Sequence, residues 1–341
     1  MKRRSVVKSL IFAGFVVALT GLAACVQNGH PVVPDGDRAM TGATKVGEGA
    51  AGVERTPVAG EPVAVKPVAV ESVESDKGAA AVAAVAENKP EVTATRKVRI
   101  LTYNVRHSLG LDGRVDYERI AGIIKGLDPD VVCLQEIDVK TKRSDRRDGL
   151  AELARLTGMH GYFARAIDFQ GGQYGVGALS KAAAASVDSQ PLPGKEEART
   201  MQVLTFDGFV VINTHLSLTA EDRVTSAGRV NERLEALTRV DGESAANALP
   251  VFFCGDLNEP DASAGMFQTL GGAWRIISSR AFTFRTDKPE RTLDYVLGNL
   301  GGAYTVAGTA VVTEKDEPAV RMASDHLPLW VDVNLVSTDF D

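Results

Sequence analysis

The feature of this sequence that most constrains its fold is a series of short apolar runs between Val98 and Asn334, separated by helical patterns and by turns that contain Asp, Gly or Pro. Short apolar runs bounded by turn residues indicate buried strands, whereas apolar residues at every third or fourth position indicate helices with one buried face. Strands that alternate with helices in this way predict an α/β domain.

The boundaries of several elements can be placed from local signals. Asp116 is typical of a helix cap, and Asp128-Pro129-Asp130 ends the apolar pattern that follows it. Asp207-Gly208 predicts a tight hairpin, because Gly tolerates a positive φ angle. We expect helices after Asp116, at 150–159 and at 220–240, and strands at 98–105, 131–134, 176–180, 201–206, 209–216, 251–254, 282–285, 293–297, 307–313 and 329–334.

Residues 1–24 are typical of an export signal. Lys2-Arg3-Arg4 precedes an apolar run, Leu10 to Leu19, that is too short to span a bilayer comfortably. Leu22-Ala23-Ala24-Cys25 resembles the lipobox of bacterial lipoproteins, which implies that the signal is removed and that Cys25 becomes a lipid-modified N-terminus. We therefore expect an exported protein anchored to a membrane of the cell envelope. A plain signal peptide and a twin-arginine signal are the alternatives.

Residues 25–96 are predicted to be a disordered tether. From Val26 to Arg96 there is no Phe, Trp, Tyr, Leu or Ile, and Ala, Val, Gly, Pro and Glu dominate. Such a segment cannot bury enough apolar surface to offset the entropy of ordering. The tether would hold a catalytic domain at 97–336, with a short tail at 337–341, clear of the membrane.

Charge and cysteine content exclude some classes of function. The chain has a net charge of −6, and removal of residues 1–24, which contain four basic residues and no acidic ones, leaves −10. An acidic protein is poorly suited to broad electrostatic binding of nucleic acid, although a local basic groove remains open. Cys25, Cys133 and Cys254 contain no C-x-x-C pair, so neither a structural zinc site nor a disulfide scaffold is indicated.

Polar clusters end or interrupt the apolar runs at six places. A single Asp or Asn there is usually a turn former, whereas six clusters with acids, amides and imidazoles indicate a shared site. Carboxylate and amide oxygens suit a hard cation such as Mg²⁺, which keeps positions for water and phosphate. Two histidines can neutralise charge on a pentavalent phosphorus. The clusters are Asn104, Glu136, His215, Asp256 with Asn258, Asp294, and Asp325 with His326.

Six short motifs resemble, in order, those of the endonuclease/exonuclease/phosphatase superfamily. Each motif alone is weak, but the set spans residues 98–336. The resemblance implies a four-layer α/β sandwich, in which two packed mixed β-sheets are flanked by helices. The motifs are Thr102-Tyr103-Asn104-Val105, Gln135-Glu136, Asn213-Thr214-His215-Leu216, Gly255-Asp256-Leu257-Asn258, Leu293-Asp294-Tyr295-Val296 and Ser324-Asp325-His326-Leu327-Pro328-Leu329.

The resemblance also implies a metal-binding set. Glu136 would bind Mg²⁺, or Mn²⁺ in its place, with help from Asn104 and Asp325. The metal would assist in-line attack of water on a phosphoester, a reaction that also needs a positioned water and fixed donors around the equatorial oxygens.

The remaining motif residues would form the catalytic set. By the same resemblance, Asp256 would deprotonate or orient the attacking water, and Asn258 would position the water or the phosphate. His326, held by Asp294 as a carboxylate–imidazole pair, and His215 would stabilise the charge of the phosphorane.

Three arginines are candidates for contact with the substrate. Arg106 stands where some family members carry an acid that helps to hold metal, which puts a second metal position in doubt. Its positively charged side chain would face either the substrate or the neighbouring acids. Two segments, Leu192 to Arg199 and Tyr174 to Ser180, resemble bacterial members of the family. Arg199 and Arg143 are therefore candidate phosphate contacts, and solvated surface arginines are the alternative. His107 and His160 have no comparable context and are expected to be structural.

Three functions remain open from the sequence. The first is a nuclease-like phosphodiesterase outside the cytoplasm. The second is a phospholipid or inositol phosphodiesterase or phosphatase, which a membrane tether would bring close to lipid headgroups. The third is a non-catalytic module that binds phosphoesters, which would normally have lost some of its site residues. We expect a monomer whose partners are the phosphoester substrate and the membrane.

Overall fold

The computed structural model describes residues 95–240, 243–244 and 249–336. The predicted signal, Cys25, nearly all of the predicted tether and the tail lie outside these residues. Among the residues described, no helix is both long and apolar enough to cross a membrane.

Strands dominate the described part of the chain. Its strands are β1 (Thr95–Asn104), β2 (Val131–Val139), β3 (His160–Phe169), β4 (Gly172–Ser180), β5 (Ser186–Leu192), β6 (Arg199–Phe206), β7 (Phe209–His215), β8 (Arg239–Val240), β9 (Glu243–Ser244), β10 (Val251–Asp256), β11 (Trp274–Ile276), β12 (Asp294–Asn299), β13 (Tyr304–Val311) and β14 (Leu329–Val336). Its α-helices are α1 (Tyr117–Leu127), α2 (Gly149–Thr157), α3 (Ala220–Thr238), α4 (Gly265–Leu270) and α5 (Val320–Ala323).

Two six-stranded mixed sheets form the centre of the domain. The first sheet has the strand order β13-β14-β1-β2-β4-β3, and the second has the order β11-β12-β10-β7-β6-β5. In the first sheet β1 runs parallel to β2, and in the second β7 runs parallel to β10. The carboxyl ends of these central strands therefore lie at one edge of each sheet.

The two sheets pack face to face, and helices cover their outer faces. Ile100 and Val331 from the first sheet share a core cluster with Val211 and Phe252 from the second. Ile120 and Ile124 of α1 pack with Leu101 on the outside of the first sheet, and Val230 of α3 packs with Phe253 on the outside of the second. The result is the four-layer α/β sandwich expected from the motifs.

Helix α1 illustrates how the sequence sets these elements. The Asp116 side chain accepts a hydrogen bond from the Arg119 N–H and so caps the helix, as predicted. The helix ends at Asp128, whose φ angle of 48° is left-handed. Ile120, Ile123 and Ile124 are almost fully buried against the sheet.

One predicted strand is wrong, and five strands of the described residues were not predicted. Residues 282–285 form a loop in which Phe284 makes only isolated bridges to Arg291 and His326. The Thr283 hydroxyl accepts hydrogen bonds from the Leu293 and Asp294 N–H groups, so the segment packs against β12 without joining a sheet. The sequence did not indicate β3, β5 and β11, which lie at the edges of the two large sheets, or the two-residue strands β8 and β9, which pair with each other.

Candidate active site

The strand order brings the polar motif residues to one end of the sandwich. Asp256 ends β10, and its register partners are His215 on β7 and Asp294 on β12. The preceding residue, Gly255, has a φ angle of +145°, and a Cβ atom there would lie 2.0 Å from the Thr214 carbonyl oxygen. Glycine at 255 therefore allows β10 to lie close to β7 where the two side chains meet.

The Asp256 carboxylate is the centre of the site. It is 1% exposed, and its Oδ2 accepts a hydrogen bond from Asn104 Nδ2 at 3.0 Å. The Nε2 atoms of His215 and His326 each lie 3.5 Å from the same oxygen. The other oxygen, Oδ1, accepts the Asn258 N–H at 3.0 Å. Four groups from both sheets thus surround one buried carboxylate.

His326 and Asp294 form the expected carboxylate–imidazole pair. His326 Nδ1 lies 2.8 Å from Asp294 Oδ2. Burial disfavours the charged imidazole, but the carboxylates of Asp294 and Asp256 outweigh it and raise the pKa of His326 to about 10. The imidazole is therefore protonated at neutral pH, and its two N–H groups point toward Asp294 and Asp256.

Asn104 joins the carboxylate of Glu136 to that of Asp256. Its Nδ2 donates to Glu136 Oε1 at 3.0 Å and its Oδ1 accepts the Arg106 N–H at 3.1 Å. Glu136 lies in a break in the pairing of β2 with β4 and has a φ angle of 59°. A left-handed conformation at a non-glycine residue is unfavourable and is found most often at functional sites.

Asp325 completes the acidic side of the site, and Arg106 faces it. Arg106 Nε lies 3.6 Å from Asp325 Oδ2. Ser324 fixes this segment, because its hydroxyl donates to the Asn104 carbonyl oxygen at 2.7 Å. Of the two roles considered for Arg106, the geometry accordingly favours contact with the neighbouring acids.

His215 differs from His326 in charge. Burial lowers the pKa of His215 to about 4, with Asp256 opposing the shift and Arg199 adding to it. His215 is therefore neutral at pH 7 and can donate from only one ring nitrogen. Its Nδ1 is buried without a partner among the described residues. Beside it, Asn258 Nδ2 donates to the Leu216 carbonyl oxygen at 2.9 Å and ties the Asp256 loop to the His215 loop.

The residues around Glu136 fit a divalent cation better than those around His326. Asp256, Asp294 and His326 offer ligand atoms within 4.8 Å of one another, but a doubly protonated imidazole cannot be a ligand. Burial raises the pKa of Glu136, and the charges of Asp325 and Asp256 raise it further. Carboxylates crowded together in this way favour a bound cation, and their oxygen atoms suit Mg²⁺ or Mn²⁺.

Arg143 lies beside the site but is held by a buried acid. Its Nε and Nη2 donate to Asp138 at 2.7 and 2.9 Å. Asp138 is 1% exposed and also accepts hydrogen bonds from Thr141 and Ser144. Burial raises the pKa of this carboxyl group, but these hydrogen bonds outweigh it and lower the pKa.

Arg199 is held in the same manner on the second sheet. Its Nη2 lies 3.0 Å from Glu196, its Nη1 lies 2.8 Å from Glu197, and only 6% of its side chain is exposed. The other Glu196 oxygen accepts the Ser217 hydroxyl at 2.9 Å, so this cluster also supports the loop after His215.

Several residues that support the site were not identified from the sequence. Thr283 holds the first residues of the Asp294 strand, and the Phe284 ring packs 4.8 Å from the His326 ring. Both lie in the loop that was expected to be a strand. Tyr174 belongs to a segment that resembled the family, but no signal singled out its side chain.

A buried amide network joins the two sheets below the site. Gln135 Nε2 donates to Asn213 Oδ1 at 2.9 Å, and Asn213 Nδ2 donates to Gln202 Oε1 at 3.2 Å. All three side chains are fully buried. These bonds hold β2 of the first sheet against β7 of the second. They therefore fix the position of Glu136 relative to His215.

Two openings lie beside the polar centre. Across the first sheet, Asp325 before β14 and Tyr174 on β4 lie on opposite sides of Asn104 and Glu136. On the Asp325 side there is a cleft of about 540 Å³, whose walls include Leu111, Pro289, Met322 and Leu327. On the Tyr174 side, smaller cavities lead away from His215.

Solved structures share this architecture. A Beutenbergia cavernae endonuclease/exonuclease/phosphatase has 23% identity and a TM-score of 0.57 over 71% of this chain and 72% of its own. A Bacteroides thetaiotaomicron member of that family has 18% identity and a TM-score of 0.56 over 71% and 96%. A mannosyl-6-phosphatase from Bacteroides thetaiotaomicron has 17% identity and a TM-score of 0.53 over 69% and 99%. At these identities the likeness concerns the fold.

The sequence itself provides the family assignment. No curated protein matches the chain in sequence. Residues 101–326, which run from the end of β1 to His326, match the sequence profile of the Endonuclease/Exonuclease/phosphatase family. The chain therefore belongs to the endonuclease/exonuclease/phosphatase family, whose members hydrolyse phosphoester bonds.

Proposed function

We propose that the protein is a Mg²⁺-dependent phosphodiesterase in which Asp256 activates the attacking water. The observation that carries this proposal is the set of donors around Asp256, in which Asn104, His215, His326 and the Asn258 N–H all approach its two oxygens. A buried carboxylate with several fixed donors can orient a water molecule and accept its proton.

The donors around Asp256 also suit the charge that develops on phosphorus. His326 is protonated and held by Asp294, and His215 is neutral. We assign His326 and His215 to stabilise the equatorial phosphate oxygens, because both imidazoles lie beside Asp256, where the attacking water would be held. Fixed donors of this kind stabilise the transition state more than the ground state.

Glu136, Asn104 and Asp325 would hold the cation. Mg²⁺ bound there would supply Lewis-acid stabilisation of the phosphate oxygens. Arg106, which faces Asp325, would limit the excess negative charge on that side and so favours one cation over two.

The two openings support a diester over a monoester. A diester carries an organic group on each side of phosphorus. Along the first sheet, a cleft that includes Leu327 lies on the Asp325 side of the polar centre, and small cavities lie on the Tyr174 side. A nuclease is less well supported, because Arg143 and Arg199 are both neutralised by carboxylates.

A phospholipid diester is the second candidate. Apolar side chains form part of the wall of the Asp325 cleft, and Phe282 and Met322, which lie near it in sequence, are 52% and 39% exposed. These two exposed apolar side chains are the observation that favours a lipid substrate over a soluble one.

Hydrolysis of bis-p-nitrophenyl phosphate by the full chain tests the proposal. We expect release of p-nitrophenolate that EDTA abolishes and that Mg²⁺ or Mn²⁺ restores. Activity that is indifferent to chelation would exclude the metal. Parallel assays with plasmid DNA and with phosphatidylinositol or sphingomyelin vesicles separate the nuclease from the lipid hydrolase.

We also propose that the protein is exported and anchored through Cys25, on the basis of residues 1–25 alone. Expression with radiolabelled palmitate should label the wild-type chain in the membrane fraction, and Cys25→Ala should remove both the label and the membrane association. Labelling of the Cys25→Ala variant would contradict the anchor.

A further inference from the structure

A groove beside His215 has no role in the chemistry described above. One cavity is lined by His215, Arg199 and Tyr174, and the next by Tyr174, Arg143 and Glu197. Because Tyr174 lines both, the two cavities adjoin. We refer to Tyr174, Arg143, Glu197 and Arg199 as the Tyr174 groove.

The Tyr174 hydroxyl is available to a ligand in this groove. The residue is 8% exposed, and no group in the described part of the chain hydrogen-bonds its hydroxyl. Burial raises its pKa well above 10, and the charges of Glu136 and Glu197 raise it further. Tyr174 therefore keeps its proton, and its hydroxyl is left as a hydrogen-bond donor that a ligand in the groove can use.

The charge of the groove does not suit a second phosphate. Arg143 is paired with Asp138 at 2.7 Å, and Arg199 is paired with both Glu196 and Glu197. The two guanidinium groups are thus outnumbered by three carboxylates. A phosphate placed here would have to displace a buried ion pair, which leaves a carboxylate without its partner.

Size and shape argue against a nucleobase. The cavity beside Arg143 has a volume of about 60 Å³ and the one beside His215 about 10 Å³, so the groove can receive a few hydroxyl-sized groups of a ligand but not a whole planar base. The Arg143 guanidinium carbon lies 4.7 Å from the centre of the Phe169 ring and 5.5 Å from that of Tyr174. A ring covered by a guanidinium group is not free to stack on a base.

We propose that Tyr174 determines specificity by donating a hydrogen bond to a hydroxyl group of an uncharged polyol esterified to the reacting phosphate, while Glu197 accepts from a second hydroxyl. The small, polar and weakly acidic groove matches vicinal hydroxyl groups, which a sugar, an inositol or a glycerol provides. This inference rests on the proposed phosphodiesterase function and names one alcohol of its substrate.

A series of p-nitrophenyl phosphodiesters that differ only in the second alcohol tests the inference. The second alcohols are methanol, glycerol, myo-inositol, a methyl hexoside and the 5′-hydroxyl of thymidine. For the wild-type chain we expect kcat/KM to be at least about tenfold higher for a polyol ester than for the methyl ester. The three polyol esters distinguish the possible sources of the hydroxyl groups.

The variant Tyr174→Phe keeps the ring and removes only the hydroxyl. We expect it to lower the ratio of kcat/KM for the polyol ester to that for the methyl ester by up to about tenfold, which corresponds to the loss of one hydrogen bond. Tyr162→Phe is the matched control, since Tyr162 lies on the neighbouring strand β3 and accepts a hydrogen bond from the Ala184 N–H. It should leave the ratio unchanged.

Several outcomes would overturn the inference. An unchanged ratio in Tyr174→Phe, an equal loss on both esters, or a preference of the wild type for the thymidine ester would each contradict it. If the methyl ester is hydrolysed and no polyol ester is, the inference fails and the proposed function stands. If no ester is hydrolysed, the proposed phosphodiesterase function is contradicted, and the inference falls with it. A cooperative unfolding transition well above the assay temperature for both variants excludes a loss of folding.

Discussion

His326 Nδ1 lies 2.8 Å from Asp294 Oδ2, and both side chains are buried. His326 precedes β14 of the first sheet, whereas Asp294 begins β12 of the second. The pair therefore joins the two sheets at the site, and it also holds the proton that faces Asp256. One contact thus contributes both to the packing of the sandwich and to the charge of the candidate active site.

Asp294→Asn should lower both the pKa of His326 and the rate of hydrolysis. Loss of the carboxylate removes the main cause of the raised His326 pKa, so the imidazole should titrate well below the present value of about 10. We expect kcat to fall by roughly 10- to 100-fold at neutral pH. An NMR titration of the His326 ring checks the shift, and an unchanged His326 pKa would contradict the pairing.

Glu136→Gln should weaken metal binding. The neutral amide keeps the shape of the side chain but removes the charge that we assign to the cation. In the wild type, Mg²⁺ or Mn²⁺ should raise the unfolding midpoint, and the variant should need about 100-fold more metal for the same rise. Glu152→Gln, a change in a surface ion pair of α2, is the control. Equal metal dependence in all three proteins would refute the assigned ligand.

Acid should destabilise the fold partly through Asp332. The carboxylate is 4% exposed, and hydrogen bonds from Arg99 at 2.7 and 2.9 Å hold its pKa below the ordinary value of 3.8. Because the pKa of Asp332 is lower in the folded state than in the unfolded state, its carboxylate stabilises the fold above pH 3.8. This stabilisation is lost as the pH falls through the pKa of Asp332 in the folded state.

Asp332→Asn should therefore lower the free energy of unfolding by about 2 kcal/mol at pH 7 and by less near pH 3. Urea denaturation at the two pH values measures the difference. Asp207→Asn, which alters a fully exposed partner of Arg96, should have no measurable effect at either pH. An equal loss at both pH values for Asp332→Asn would contradict the ionic origin.

Removing only one partner of the buried Arg223–Glu259 pair should lower the free energy of unfolding. Arg223 Nη2 donates to Glu259 at 2.9 Å, and its Nη1 donates to the carbonyl oxygens of Ser217 and Leu218 in the loop after His215. Arg223→Leu should cost about 3 kcal/mol of unfolding free energy, because it leaves Glu259 buried and unpaired. The double variant with Glu259→Leu should recover part of that loss in chemical denaturation. A double variant less stable than Arg223→Leu would show that the loss has another cause.

The central strands could be predicted from the sequence because they are buried on both faces. The segments around Val131 to Leu134 and Val251 to Cys254 are continuous apolar runs, and each leads into a site residue. The edge strand β5 could not be predicted, since most of Ser186–Leu192 is exposed and the segment includes Pro191. Edge strands carry polar residues because one side of them meets solvent.

The candidate site also could be predicted from the sequence only in part. Side chains at the ends of central strands, such as Glu136 and Asp256, could be placed from the motifs and the parallel strand pairs. The positions of Arg143 and Arg199 could not, because each depends on an acid partner within five residues of it that the strand pattern does not indicate. The role of Thr283 was hidden because an apolar neighbour, Phe284, resembled part of a strand while packing on His326.

Asp256→Asn tests the central claim most directly. The amide keeps the size of the side chain but cannot accept the proton of the attacking water. With bis-p-nitrophenyl phosphate and saturating Mg²⁺, we predict a fall in kcat of at least about 1,000-fold, with an unfolding midpoint close to that of the wild type. Hydrolysis by the folded variant at the wild-type rate would contradict the account.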